Sequence, residues 1–182
     1  MRGSRMQKGK VIWITGLSGS GKSSLARLLS SQLRTQGMAV VMLDGDELRD
    51  VFGAITPNTQ SYSREGRLTI AMQYARLCLL IAGQGVVVVI ATISLFKEVH
   101  KWNRANLPAY FEVYLKVPVE ELRRRDPKGI YRRFDAGELT HVAGLDLPIE
   151  EPENPDLIME FDPERSVSVL AEELNQILCA RK

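Results

Sequence analysis

Eight consecutive residues constrain this chain more than any others: Gly16-Leu17-Ser18-Gly19-Ser20-Gly21-Lys22-Ser23 fits the pattern GxxxxGK[ST]. The apolar run Val11-Ile12-Trp13-Ile14-Thr15 leads straight into it, as a buried parallel strand would. Beyond it, Leu25, Leu28, Leu29 and Leu33 recur on one helical face, with Gly37 where a C-terminal cap belongs. A strand, a glycine-rich turn and a helix in that order form the setting in which backbone amides curl around polyphosphate oxygens. The helix N-terminus adds its dipole, the lysine offsets charge on the outer phosphates, and the following hydroxyl reaches a magnesium ion. The spacing therefore assigns Gly16, Leu17, Ser18, Gly19, Ser20, Gly21, Lys22, Ser23 and Ser24 to ATP, Lys22 to catalysis and Ser23 to Mg2+.

The remaining chain alternates between the two periodicities. Strands are predicted over 39–43, 86–91, 110–117 and 157–161, the second being the most apolar. Helices are predicted over 63–82, 95–106 and 119–125, and Pro163 is expected to open a last one whose apolar face carries Val167, Leu170, Leu174, Ile177 and Leu178. Residues 126–155 are rich in Gly, Pro and charge and read as a mobile lid. Parallel neighbours need crossover connections, so this order predicts an α/β fold: a P-loop NTPase-type three-layer sandwich with a parallel central sheet. Residues 1–9 read as a tail, Met1-Arg2-Gly3-Ser4 within it resembling an expression leader, and 10–182 as a single domain.

A phosphate cradle does not by itself say what happens to the nucleotide. Asp44 and Asp46 follow the second predicted strand, at the sheet edge where open α/β folds bind ligands. The strand over 86–91 ends in Thr92, so the position of a metal-linked carboxylate in motor ATPases holds none, and no NKxD guanine signature occurs. A kinase fits better than a GTPase or a motor. One aspartate would join the magnesium shell and the other would accept the proton of the acceptor hydroxyl; residue type alone leaves the division open.

Composition removes other classes. Lys and Arg number 24 against 22 Asp and Glu, a net charge of +2, so no global field marks a nucleic-acid or membrane-surface binder. The local cluster Arg123-Arg124-Arg125, Lys128, Arg132-Arg133 reads as a solvated helix face or a phosphate-closing lid. Cys78 and Cys179 show no ligand or redox spacing and suit a reducing, cytoplasmic setting. The apolar stretch 79–91 is interrupted by Gly83-Gln84-Gly85 and is too short to span a bilayer. His100 and His141 are read as having no carboxylate partner or ligand spacing and are set aside as bases or ligands, and Trp13 and Trp102 read as packing residues.

Several segments together resemble the adenylylsulfate (APS) kinase family: Gly16 to Ala26, Leu43-Asp44-Gly45-Asp46-Glu47-Leu48-Arg49, Tyr62-Ser63-Arg64-Glu65-Gly66-Arg67, Arg125-Asp126-Pro127-Lys128-Gly129-Ile130-Tyr131 and Pro152-Glu153-Asn154-Pro155-Asp156-Leu157. The resemblance implies transfer of the ATP γ-phosphoryl group to the 3′-hydroxyl of a nucleotide acceptor. It also implies that Asp44 and Asp46 serve the metal and the hydroxyl, Asp44 grouped with Ser23 as metal ligand and Asp46 with the acceptor. Arg49 and Arg67 would grip the acceptor's anionic tail, and Lys128 would close over the phosphates. Three departures touch the acceptor side. His141-Val142-Ala143-Gly144-Leu145-Asp146 stands for a Gly-Phe-Thr-Gly-Ile-Asp-like lid, so Val142 and Tyr62 replace the aromatic pair that sandwiches adenine, a loss of about 1–3 kcal/mol of stacking. Ile70 stands for an Asn, and Ile93-Ser94-Leu95-Phe96-Lys97 for Ile-Ser-Pro-Tyr-Arg. The Ser-Leu-Phe version with Trp102-Asn103-Arg104 is similar to relatives that phosphorylate cytidine diphosphoramidate on the route to capsular phosphoramidate. Two acceptors therefore stand open, adenylylsulfate and cytidine diphosphoramidate, beside a non-enzyme alternative, a silent nucleotide-binding module, against which intact Lys22, Ser23, Asp44 and Asp46 argue. Expected partners are a small-molecule nucleotide acceptor and a second copy of the chain in a homodimer, with no nucleic acid and no membrane.

Overall fold

The run Val87-Val88-Val89-Ile90-Ala91 offers no polar face to water, and a strand of that kind is stable only when covered on both sides. In the computed structural model, which describes residues 9–53 and 63–181, every residue of this strand, β3 (Val87–Thr92), is buried. It lies between β2 (Val40–Asp44) and β1 (Lys10–Thr15), and β4 (Phe111–Lys116) and β5 (Leu157–Glu160) complete a five-stranded sheet in the order β2-β3-β1-β4-β5. All four pairings are parallel.

Side chains alternate across this sheet and feed two cores. On one face, Ile12, Ile14, Val89 and Val113 meet Leu25, Leu29 and Leu33 of α1 (Lys22–Thr35) and Leu174 and Leu178 of α7 (Val167–Ala180). On the other, Val11, Trp13, Val88 and Ile90 meet Ala71, Tyr74, Ala75 and Cys78 of α3 (Arg64–Ala82) and Val99 of α4 (Lys97–Asn106). Each large aliphatic side chain buried in this way contributes roughly 1.5–3 kcal/mol. The result is the expected three-layer α/β sandwich.

A third, smaller cluster sits above the carboxyl edge of the sheet. Leu17 of the phosphate loop, Leu95, Tyr114, Leu122 of α5 (Val119–Arg125) and Tyr131 of α6 (Ile130–Asp135) form it, with Ala143 and Leu145 packed against them. This cluster joins the phosphate loop to the segment read as a lid, and the Tyr131 hydroxyl donates to the Ser18 carbonyl at 3.0 Å.

Several expectations shift. The strand expected over 39–43 begins at Val40, and four of its five residues are only half-buried because β2 is an edge strand. α4 begins at Lys97 rather than 95, since Ser94 has a positive φ of 29° and Phe96 is extended. Ser166, whose side chain accepts from the Val169 N–H, opens α7 in place of Pro163. The lid contains α6, a single helical turn and a half that periodicity did not mark. Tyr62 lies outside the described residues. Among the described residues, no helix is long and apolar enough to cross a membrane.

Candidate active site

The phosphate loop is held flat against the sheet. A Cβ on Gly16 would fall 2.6 Å from the Leu115 carbonyl oxygen of β4, so the backbone passes where no side chain fits. At the other end of the loop Gly21 has φ 96°, and nothing lies within 4 Å of where its Cβ would be. The α1 ladder starts with the Leu25 N–H donating to the Gly21 carbonyl at 3.0 Å, so the amides of the first turn have no partner within the helix. Open space and unpaired donors at a helix N-terminus are the physical requirements of a phosphate cradle.

Lys22 reaches back from the first turn of α1. Its Nζ donates to the Leu17 carbonyl at 2.6 Å and to Ser20 Oγ at 3.4 Å. Burial, partly offset by Asp46 and Asp44, lowers its pKa from 10.5 to about 8. The ammonium is thus cationic at neutral pH yet short of counter-charge, a state that an incoming polyphosphate relieves.

The carboxylates come from the β2–α2 junction, α2 spanning Gly45–Gly53. Asp44 is 5% exposed, and its Oδ1 accepts from the Asp46 N–H at 2.9 Å, an Asx-type start to the helix. The Tyr74 hydroxyl donates to the Gly45 carbonyl at 2.8 Å and pins the turn to α3. Asp46 is exposed and accepts from Lys128 Nζ of the lid. Farther along the lid, Asp146 takes the N–H groups of His141 and Val142 at 2.7 and 2.6 Å, and Arg67 Nη2 donates to the His141 carbonyl at 2.7 Å. These bonds lay the lid across the carboxyl edge of the sheet.

What lies beneath is a cleft of about 830 Å³. Its walls include Ser18, Gly19, Gly21, Lys22, Ser23, Ser24, Asp44, Asp46, Arg49, Arg67, Ile93, Ser94, Leu95, Lys128 and Val142, so residues separated by up to 124 positions in sequence converge there. Three of the phosphate-loop residues stand behind the wall: Gly16 against β4, Leu17 in the lid cluster and Ser20 buried beneath Lys22. The donor set also fits magnesium. Ser23 supplies a hydroxyl and Asp44 a carboxylate, and no cluster of three or more His, Cys, Asp or Glu occurs among the described residues. Mg2+ is ordinarily held by one or two protein oxygens together with substrate phosphates and water.

The sequence left some of this unmarked. Thr92, Tyr74, Glu47 and Arg133 also face the cleft. A second cavity of about 130 Å³ lies on the other side of the phosphate loop, bounded by Ser20, Gly21, Arg125 and Phe161, with the Arg125 guanidinium 4.8 Å from the Phe161 ring centroid. In the sequence Arg125 stood only in a basic run and at the head of a lid motif, with no aromatic partner to be seen. One expectation needs correction: His100 does have a carboxylate partner, its Nδ1 lying 2.5 Å from Glu112 Oε1, with both side chains buried between α4 and β4. Neither residue lines the cleft, and the pair is invisible in sequence because a helix and a turn separate its members.

Comparison with known proteins agrees with this geometry. A family model described as adenylylsulphate kinase matches residues 8–160. The cytidine diphosphoramidate kinase of Campylobacter jejuni is 36% identical over 143 residues, covering 79% of this chain and 81% of the relative. The bifunctional enzyme CysN/CysC of Mycobacterium tuberculosis is 37% identical over 179 residues, 96% of this chain, which spans only 28% of that enzyme's length. Among solved structures, the M. tuberculosis APS kinase CysC in complex with AMPPNP and APS superposes with a TM-score of 0.84 at 37% identity, covering 94% of this chain and 98% of that one. A phosphate cradle, a buried lysine and two aspartates under the lid, with a family match over most of its length, make this chain a member of the adenylylsulphate kinase family.

Proposed function

We propose that the cleft transfers the γ-phosphoryl group of Mg-ATP to the 3′-hydroxyl of a nucleotide acceptor, adenylylsulfate, giving 3′-phosphoadenylylsulfate. The observation that carries this reading is the convergence of Lys22, Asp44, Asp46 and Lys128 on one cleft with Arg49 and Arg67 in its wall. The first turn of α1 and Lys22 bind the β- and γ-phosphates. Ser23 and Asp44 hold Mg2+, which when bound neutralises charge on the transferred group. Asp46, freed from Lys128 as the lysine turns to phosphate, accepts the proton of the attacking hydroxyl. Arg49 and Arg67 grip the acceptor's anionic tail, since guanidinium groups match sulfate and phosphate oxygens in pairs. The lid excludes water, so the phosphoryl group reaches the hydroxyl instead of being hydrolysed. The base of ATP takes the smaller cavity, against the face of the Arg125 guanidinium.

A second acceptor, cytidine diphosphoramidate, is favoured by a specific feature of the wall. Ile70 and Val142 line the cleft where the adenine-binding pattern calls for an amide and an aromatic ring, and the C. jejuni relative carries that acceptor's name. The deciding experiment offers ATP, Mg2+ and each acceptor separately to the purified protein. Turnover of adenylylsulfate with the higher kcat/KM supports the first reading, and the reverse order selects the second. Failure of both acceptors rejects the proposal. The same reading makes residues 10–182 one domain, places the enzyme in the ATP-rich cytoplasm and has it working as a homodimer; light scattering at a single discrete mass of two chains tests the last point.

A further inference from the structure

Two threonines stand side by side at the carboxyl edge of the sheet. Thr15 ends β1 and Thr92 ends β3, and the parallel register pairs them directly. Both are buried, Thr15 completely and Thr92 to 5% exposure. The chain then crosses the strand ends as Ile93-Ser94-Leu95, all on the cleft wall. The two hydroxyls hold this crossing at successive residues: Thr15 Oγ1 donates to the Ile93 carbonyl, and Thr92 Oγ1 lies 2.7 Å from Ser94 Oγ. Ser94 has φ 29°, a region unfavourable for any residue with a Cβ, and it persists only where the surroundings over-determine it. Its carbonyl accepts from the Phe96 N–H at 3.0 Å, which completes a tight bend before α4.

Thr92 also bears on the aspartate turn. A Cβ on Gly45 would lie 3.0 Å from Thr92 Oγ1 and 3.2 Å from the Ala91 carbonyl, so Asp44-Gly45-Asp46 rests against this side chain with no room to spare. One residue therefore touches both the acceptor wall and the turn that carries the carboxylates.

We infer that Thr92 is a positioning residue for phosphoryl transfer: its hydroxyl holds Ser94 in the left-handed conformation, and its body supports Gly45, so it sets the separation between acceptor and aspartates. This rests on the kinase reading of the cleft. Removing the hydroxyl without changing the shape, as Thr92→Val does, lets Ser94 relax to negative φ and shifts Ile93 and Leu95. Because the phosphate loop is untouched, the effect falls on one substrate.

Steady-state kinetics of four proteins test it. Thr92→Val raises the acceptor KM about five- to tenfold and leaves the ATP KM unchanged, the loss of one buried hydrogen bond at a strained residue. Thr92→Ser, which keeps the hydroxyl, stays near wild type. Adding Ser94→Gly to Thr92→Val recovers acceptor binding, because glycine takes positive φ at no steric cost. A residue that only stabilised the fold would show neither the KM split nor this rescue. Independently of turnover, the Ser94 Cα and Cβ chemical shifts report its φ in the free protein: left-handed in wild type and Thr92→Ser, relaxed in Thr92→Val. Unmoved Ser94 shifts in Thr92→Val, or an acceptor KM within about twofold of wild type, overturn the inference. Wild-type protein that phosphorylates neither acceptor would refute the kinase reading instead, and the shifts would still decide whether Thr92 holds Ser94.

Discussion

Binding of Mg-ATP above pH 8 should take up a proton, and Lys22 is the group that receives it. In the free protein burial outweighs Asp46 and Asp44 and brings the lysine down to about 8. At that value about nine-tenths of the protein carries the ammonium at pH 7 and about one-tenth at pH 9. A triphosphate beside Nζ favours the charged form, so the complex regains the proton that the free lysine has released. If only the cationic form binds tightly, affinity falls about tenfold between pH 7 and pH 9, or ~1.4 kcal/mol. The last phosphate ionisation, with a pKa near 6, is complete before this window opens. Isothermal titration calorimetry at pH 9 in buffers of different ionisation enthalpy should therefore give an uptake of about 0.9 proton per nucleotide, against about 0.1 at pH 7. The folding counterpart has the opposite sign. Between about 8 and 10.5 the unfolded chain holds more protons than the native one, so the free protein gains up to about 3 kcal/mol as pH rises across that interval and loses it as pH falls through 8. A pH-independent affinity with no proton uptake at pH 9 would refute the argument from burial.

Three other substitutions have expected outcomes. Val142→Phe restores an aromatic wall and should raise kcat/KM for adenylylsulfate relative to cytidine diphosphoramidate by about fivefold or more; an unchanged ratio in the competition assay would count against this reading of the lid. Gly144→Ala places a Cβ 2.9 Å from Leu17 Cδ1 at a φ of 83°, so it should cost about 1–3 kcal/mol in urea unfolding and weaken ATP binding through the phosphate loop. His100→Ala leaves the buried Glu112 carboxylate with Arg104 at 3.4 Å and the Tyr110 hydroxyl at 2.8 Å, and should destabilise the fold by about 2–4 kcal/mol without altering KM for either substrate.

What could be read in the sequence was whatever depends on local order. The GxxxxGK[ST] pattern between a strand and a helix, the helical run from Ser63 and the unbroken valines of β3 are local signals, and each has its element within a residue or two. Position within the sheet was not legible. β2 has the same apolar run as its neighbours, and only the strand order makes it an edge. α6 escaped notice because six residues carry too little periodicity, and its start depends on Asp126 accepting from the N–H groups of Tyr131 and Arg132. The site divides in the same way. Lys22, Asp44 and Asp46 belong to contiguous motifs, and Arg49, Arg67, Lys128 and Val142 came from resemblance. Thr92 was noticed only for the carboxylate it lacks, although its contacts with Ser94 and Gly45 are what tie the two sides of the cleft together. Pairs such as Arg125 with Phe161 join the start of the lid to the end of β5, a distance that no sequence spacing encodes.

The most direct test is the position of the transferred group. Adenylylsulfate incubated with ATP, Mg2+ and the enzyme should yield a product whose new phosphorus resonance couples to the ribose H3′. A Lys22→Ala variant with an unchanged circular dichroism spectrum should yield none. Phosphate released to water with the acceptor intact, or undiminished product from the alanine variant, would contradict the account.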